Sequence, residues 1–270
     1  MLLTQHQTTE GPRWAVDGFF LPADLRLGAL LEMPRKSMLQ SLMALPRGES
    51  ANGGELAPVD PSHEVWAAGV TYLRSRDARR VESTVADMYD RVYDAARPEL
   101  FFKSVGWRVA GNGAPIRVRR DSAWNVPEPE LVLVINRDSE IVGYCAGNDV
   151  SSRDIEGENP LYLPQAKNYN GSCALGHGIL ICEPNEIKDL PIKLQVRRAS
   201  QMIFDGETST ATMKRQLPEL VNYLTMELDF PQGAFLMTGT CLVPGNDFTL
   251  QAGDNVMIEV GKLRIENPVE

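Results

Sequence analysis

The chain has 270 residues, enough for one large or two smaller domains. Its formal net charge of −9 argues against a nucleic-acid partner, and an apolar fraction of 43% fits a globular protein with a real core. No apolar run approaches a membrane span, and the N-terminus has no basic stretch leading into an apolar one, so a cytoplasmic protein with no membrane partner is expected.

In chain order, residues 1–60 read as a small N-terminal α/β domain. A strand-turn signal lies at Trp14-Ala-Val-Asp-Gly-Phe-Phe-Leu21, a helical stretch runs over 25–45, and a Gly-rich linker follows Gly48. Residues 61–270 form the second unit. Val65 to Val70 reads as a buried strand, and 77–96 as a helix with apolar Val81, Val85, Met88, Val92 and Ala96 on one face, ended by Pro98. Short strands then dominate, at 100–103, 115–118, 131–135, 141–146, 179–182, 194–197, 202–205 and 255–260, with one helix over 217–227. The fold class expected is α+β and β-rich, a rolled or barrel-like mixed sheet.

The cysteines Cys145, Cys173, Cys182 and Cys241 include no C-x-x-C pair and read as reduced core thiols. Cys173 has no histidine beside it to act as base. Arg117, Arg119 and Arg120 read as a solvated strand face. The denser group Arg74, Arg76, Arg79 and Arg80, with Tyr72, reads either as an anionic-substrate entrance or as a solvated helix face.

The chemistry concentrates in Asn125-Val-Pro-Glu-Pro-Glu130, followed by Leu-Val-Leu-Val-Ile. Glu128 and Glu130 sit at i and i+2 on the threshold of a strand, so both point to one face. Two like charges that close call for a cation, and oxygen ligands suit Mg2+; the bland alternative is a solvated, charged edge. Pro129 cannot donate to a ladder, so an open sheet edge is expected there. A second strand closing a hairpin would carry Asp149 to the same place as a third oxygen ligand. Asp154 and Glu156 compete with it, the first also suited to bracing the Ser151-Ser152-Arg153 turn and the second placed in a loop. Lys167, in a long polar and aromatic loop, is either a proton-handling ammonium or a surface lysine.

These segments resemble the fumarylacetoacetate hydrolase family from about Glu64 onward. The resemblance rests on Pro-Glu128-Pro-Glu130-Leu, Gly143 through Asn148-Asp149-Val-Ser-Ser-Arg153-Asp154, Gln165-Ala-Lys167, Ser172-Cys-Ala-Leu-Gly176, Thr238-Gly-Thr240 and Leu250-Gln-Ala-Gly-Asp254. Gly157-Glu-Asn-Pro-Leu-Tyr-Leu-Pro-Gln-Ala-Lys167 and Met88 through Lys103 are similar to its 2-keto-3-deoxy sugar acid dehydratase branch. The resemblance implies the family's β-rich roll, Glu128, Glu130 and Asp149 as ligands of Mg2+ (Mn2+ being the alternative), and Glu99 and Lys167 as the two proton-handling residues. It places Arg153 and Thr240 at the substrate, and it implies a homodimer or higher homo-oligomer. His177 stands where relatives have proline, either a turn replacement or a side chain at the pocket rim, and Cys241 also replaces a proline. The segment from Gly69 to Asp77 lacks the histidine that the family's hydrolases use.

The activity implied is loss of water from a 2-keto-3-deoxypentonate to give 2,5-dioxopentanoate. The 2-keto acid would chelate the metal, which makes its C3–H acidic and stabilises an enolate. The rivals are oxaloacetate decarboxylation or acylpyruvate hydrolysis on the same metal, and a metal-stabilised scaffold without catalysis.

Overall fold

The computed structural model describes residues 1–73 and 86–270. Ten strands make one large sheet, ordered Phe19–Phe20, Gly11–Val16, Leu2–Thr8, Cys173–Ile181, Ile141–Asp149, Pro129–Ile135, Ala234–Met237, Glu64–Gly69 and Glu99–Val105, with Glu55–Leu56 added beside Leu2–Thr8. A four-stranded antiparallel sheet runs Gln201–Ser209, Pro191–Arg198, Asp254–Val260, Leu263–Pro268. One hydrophobic core joins the two: Leu131, Leu133, Val142 and Leu175 of the large sheet belong to the same cluster as Leu194, Val196, Ile258 and Ile265 of the small one. A Cβ on Gly176 would sit 2.8 Å from the Ile265 side chain, so glycine there sets the close approach of the sheets.

The centre of the large sheet is the pair Pro129–Ile135 and Ile141–Asp149, in which every residue is buried. Continuous apolar runs suit strands covered on both faces. Each fully buried Val, Leu or Ile contributes about 1.5–3 kcal/mol, so this pair is the least deformable part of the molecule. The open edge expected at Pro129 is not there: Pro129–Ile135 pairs with Ile141–Asp149 on one side and Ala234–Met237 on the other. Pro129 is tolerated because it is the first residue of the strand, where a missing N–H costs little.

Other expectations are corrected in detail. Residues 115–118 form no strand; Ile116 makes a single bridge to Val269, and the Arg117 N–H donates to the Gly171 carbonyl. The helical stretch 25–45 splits into Leu27–Leu31 and Arg35–Ala44, with Pro34 at the break. The strand expected at 179–182 begins earlier, at Cys173, and runs to Ile181, so the polar loop that precedes it is shorter. Glu156 lies in the helix Arg153–Glu158, not in a loop. Of the helix expected over 77–96, Ala86–Asp94 is described, and Arg74, Arg76, Arg79 and Arg80 lie outside the described residues. Among the described residues no helix is long and apolar enough to cross a membrane.

Residues 1–60 join the large sheet through Leu2–Thr8, whose Leu2 and Leu3 pair with Leu180 and Ile179. Buried Asp60 fastens them further, accepting from Trp14 Nε1 (3.1 Å) and the Gly28 N–H (3.1 Å). Beside it, His63 Nδ1 accepts from the Asp60 N–H (3.1 Å), which fixes the tautomer, so Nε2 carries the proton and donates to the Gln232 carbonyl (2.8 Å). Burial lowers the His63 pKa, with the Asp60 charge opposing it. The unfolded chain therefore takes up this proton first as pH falls below about 6.5. The stabilisation from neutral His63 is complete above that value and is lost as pH drops from it toward the folded-state pKa. Urea unfolding midpoints should fall from neutral pH to about pH 5.5, and the fall should be smaller in His63→Gln; equal falls in both proteins would place the acid sensitivity elsewhere.

Candidate active site

The central strand pair delivers the carboxylates. Pro129 pairs with Asn148 and Glu130 with Gly147, which sets Glu128, Glu130 and Asp149 at one end of the pair. The Asp149 N–H donates to the Glu128 carbonyl (3.0 Å) and the Glu128 N–H to Asn148 Oδ1 (3.1 Å), so the two chain segments are tied at the site itself. One oxygen from each of Glu128, Glu130 and Asp149 lies within 4.8 Å of the others, and each residue is at most 2% exposed.

Such crowding needs compensation. Lys167 Nζ contacts Glu128 Oε2 (2.7 Å), Asp149 Oδ2 (3.0 Å) and Ser151 Oγ (2.6 Å), from the end of the short helix Leu163–Lys167. Arg153 is buried with its guanidinium on Glu128 Oε1 (2.7 Å) and Glu156 Oε2 (3.0 Å). Glu130 accepts the Gly239 N–H at 2.6 Å. Even so, burial pushes the Glu130 pKa well up, with Asp149 and Glu128 adding repulsion, and Lys167 and the Gly239 N–H only partly opposing. Gly239 has φ +91°, and a Cβ there would collide with Thr71 Oγ1, which itself donates to the Thr238 carbonyl (2.7 Å). Only glycine can present this N–H.

Glu99 approaches from the edge strand Glu99–Val105, paired with Gly69, and a Cβ on Gly69 would run into its carboxylate. Glu99, Phe101, Glu156, Lys167 and Thr240 line a cavity of about 20 Å³ over the three carboxylates, room for an ion or a water. The next residue after Gly69 is Val70, at φ +53°, a strained conformation for a β-branched side chain directly on the cavity wall.

The structure thus brings Glu99, Glu128, Glu130, Asp149, Lys167 and Thr240 together. Arg153 is spent on Glu128 and Glu156, which makes it a brace of the carboxylate cluster in this arrangement. Asp154 accepts from Ser122 Oγ (2.6 Å) and the Ala123 N–H (2.7 Å), away from the three carboxylates. His177 pairs with Glu55 (3.1 Å) in a different surface cleft. Burial raises the Cys173 thiol to about 12, with Lys103 opposing and Asp149 adding, which leaves it a poor nucleophile. Sequence reasoning missed Lys103 as a site residue. It is wholly buried and ion-paired to Asp149 Oδ1.

Three hard, buried, mutually repelling oxygens fit Mg2+, which takes carboxylates and retains waters or substrate oxygens in its remaining positions. Residues 64–270 match the family model described as fumarylacetoacetate (FAA) hydrolase C-terminal. The chain belongs to the fumarylacetoacetate hydrolase family. It is 50% identical over 206 residues to a probable 2-keto-3-deoxyxylonate dehydratase of Haloferax volcanii, covering 75% of this chain and 70% of that one. It is 43% identical over 214 residues to the 2-dehydro-3-deoxy-D-arabinonate dehydratase of Saccharolobus solfataricus, covering 76% and 70%. A solved 2-keto-3-deoxy-D-arabinonate dehydratase, complexed with magnesium and 2,5-dioxopentanoate, superposes with a TM-score of 0.84 at 32% identity over 100% of this chain and 99% of that one.

The two glycines separate the parts of this family site. Gly239→Ala should weaken Mg2+ binding by about tenfold or more, because it moves the N–H that holds Glu130, while Gly69→Ala should displace Glu99 and leave Mg2+ affinity within about threefold. Calorimetric titration of both variants checks this, and equal effects would refute the separation.

Proposed function

We propose that this protein is a Mg2+-dependent dehydratase that converts a 2-keto-3-deoxypentonate to 2,5-dioxopentanoate. The observation that carries the reading is the placement of Glu99 and Lys167 on one small cavity with three buried carboxylates, in a chain so similar to dehydratases of this substrate class. Glu128, Glu130 and Asp149 would hold the ion; Mn2+ has the same ligand preference. When bound, the ion supplies a Lewis acid that polarises the 2-keto group and so acidifies the C3–H.

The chain's own residues handle the protons. One of the pair Glu99 and Lys167 takes the C3 proton and the other protonates the departing C4 hydroxyl, which leaves as water. A second proton shift, from C5 to C3, turns the resulting unsaturated alcohol into the C4–C5 enol, and transfer of the enol hydroxyl proton to C4 gives the aldehyde of 2,5-dioxopentanoate. Lys167 is held on its carboxylate partners and its Ser151 contact, so its ammonium is directed rather than free to wander. Glu99, over Gly69 on the edge strand, reaches the cavity from another side. Thr240 lies on the wall, where its hydroxyl suits the substrate carboxylate.

The test is turnover of 2-keto-3-deoxy-D-arabinonate and its xylonate-derived counterpart, followed through an NAD(P)-linked aldehyde dehydrogenase. Activity should require Mg2+, vanish with EDTA, and fall by about 10²–10⁴ in Lys167→Ala and Glu99→Gln. If the Mg2+-loaded protein leaves both substrates intact, the dehydratase reading fails.

A further inference from the structure

Lys103 lies on the edge strand Glu99–Val105 at an irregularity. Val65 and Trp66 are consecutive, yet they pair with Ser104 and Phe102, so Lys103 is the extra residue of a β-bulge. Bulges re-aim side chains, often beside active sites. Here the bulge sends the lysine into the interior, where it is 0% exposed.

Its ammonium has three N–H bonds and three partners: the Asp149 Oδ1 ion pair, the Val150 carbonyl (3.1 Å) and the Lys167 carbonyl (2.5 Å). The Lys167 carbonyl is gripped a second time by Ser172 Oγ (2.8 Å). Lys167 is therefore fixed at both ends, by its main chain to Lys103 and Ser172 and by its Nζ to Glu128, Asp149 and Ser151. Asp149 is divided in the same way, with Oδ1 on Lys103 and Oδ2 on Lys167. Unlike Lys167, Lys103 does not line the cavity over the carboxylates, so its effect on the reaction runs through these two neighbours.

We propose that Lys103 is a positioning residue: it withholds one oxygen of Asp149 from the metal, lowers the negative charge that the metal meets, and anchors Lys167 for proton handling. This rests on the reading of Glu128, Glu130 and Asp149 as Mg2+ ligands and of Lys167 as a proton carrier. A lysine that merely fills space would affect folding alone. The positioning role predicts instead that metal affinity and turnover move in opposite directions when the charge is removed.

The experiment uses Lys103→Met and Lys103→Gln in the full chain. Mg2+ binding to the metal-free protein is measured by calorimetry, alongside thermal melting and steady-state kinetics. Both variants lose the fixed cation, so Mg2+ should bind about tenfold tighter or more. Glutamine retains N–H donors for the Lys167 carbonyl, so its kcat should fall by about tenfold, against about a hundredfold or more for methionine, with KM within about threefold in both. Mg2+ affinity that is unchanged or weaker, with activity tracking the melting temperature, overturns the proposal and leaves Lys103 as a structural plug. If the methionine variant does not fold, the Mg2+ titration of Lys103→Gln decides alone. Wild-type protein that binds no Mg2+ overturns the metal reading and this inference with it, whereas wild-type Mg2+ binding with wild-type ratios in both variants overturns only the inference.

Discussion

Three carboxylates held within 4.8 Å of one another in the interior are the constraint on which the rest of this structure depends. Burying one ionised group is costly, and burying three together is tolerable only with hydrogen bonds and counter-charges arranged around them. The surroundings answer that need oxygen by oxygen. Arg153 and Lys167 divide the two oxygens of Glu128 between them; Lys103 and Lys167 divide those of Asp149; a backbone N–H is turned onto Glu130. Three of these partners depend on a local feature of their own: a bulge at Lys103, a positive φ at Gly239, and a five-residue helix ending in Lys167. Glu130 remains under-compensated, its pKa well raised by burial first and by Asp149 and Glu128 next, and a divalent cation would relieve both.

The fold meets the demand by putting the cluster on its stiffest element. The pair Pro129–Ile135 and Ile141–Asp149 is buried along its whole length, between further strands of the large sheet and under the small one. Gly147 shows how tightly neighbouring strands pack on one face of the large sheet, because a Cβ there would strike Val132 and Met237. Side chains at the ends of such strands are held to the small tolerances that metal ligation and proton transfer require.

Where local rules hold, the chain could be read directly. Alternation along a strand put Glu128 and Glu130 on one face, the hairpin brought Asp149 beside them, and apolar runs marked the central strands. Where tertiary context overrides those rules, it could not. Pro129 suggested an edge, because nothing local reveals that Ala234–Met237 would pair on the far side. The part of Cys173–Ile181 up to Gly178 was hidden behind a polar loop, since its Gly176 and Gly178 carry weak strand preference and are required by close packing against Ile265 and Leu3. Lys103 escaped for a similar reason: a bulge is a property of two strands together, and one strand's alternation cannot disclose it. Gly69 and Gly239 were visible as glycines, but their roles, sparing Glu99 and presenting an N–H to Glu130, exist only across the sheet.

The candidate metal ligands and proton-handling residues come from two parts of the sheet with different mechanical support. The metal-ligand set, Lys167 and Ser172 all come from residues 128–172, a continuous stretch rooted in the buried centre of the sheet. Glu99 comes from the outermost strand, just beyond the helix Ala86–Asp94 and Pro98. That region is secured from outside the cluster: Arg215 donates to the carbonyls of Val92, Ala95 and Ala96, and Lys214 to that of Tyr93. On the proposed reading, metal ligation and one half of the proton handling would belong to the buried interior, while the other half would be set by how an edge strand is clamped. Changes on the edge can move Glu99 without disturbing the charge balance around Glu128, Glu130 and Asp149. Lys103 is the exception on that strand: it is bound to Asp149 and to Lys167 at once, so a change there reaches the charge balance directly.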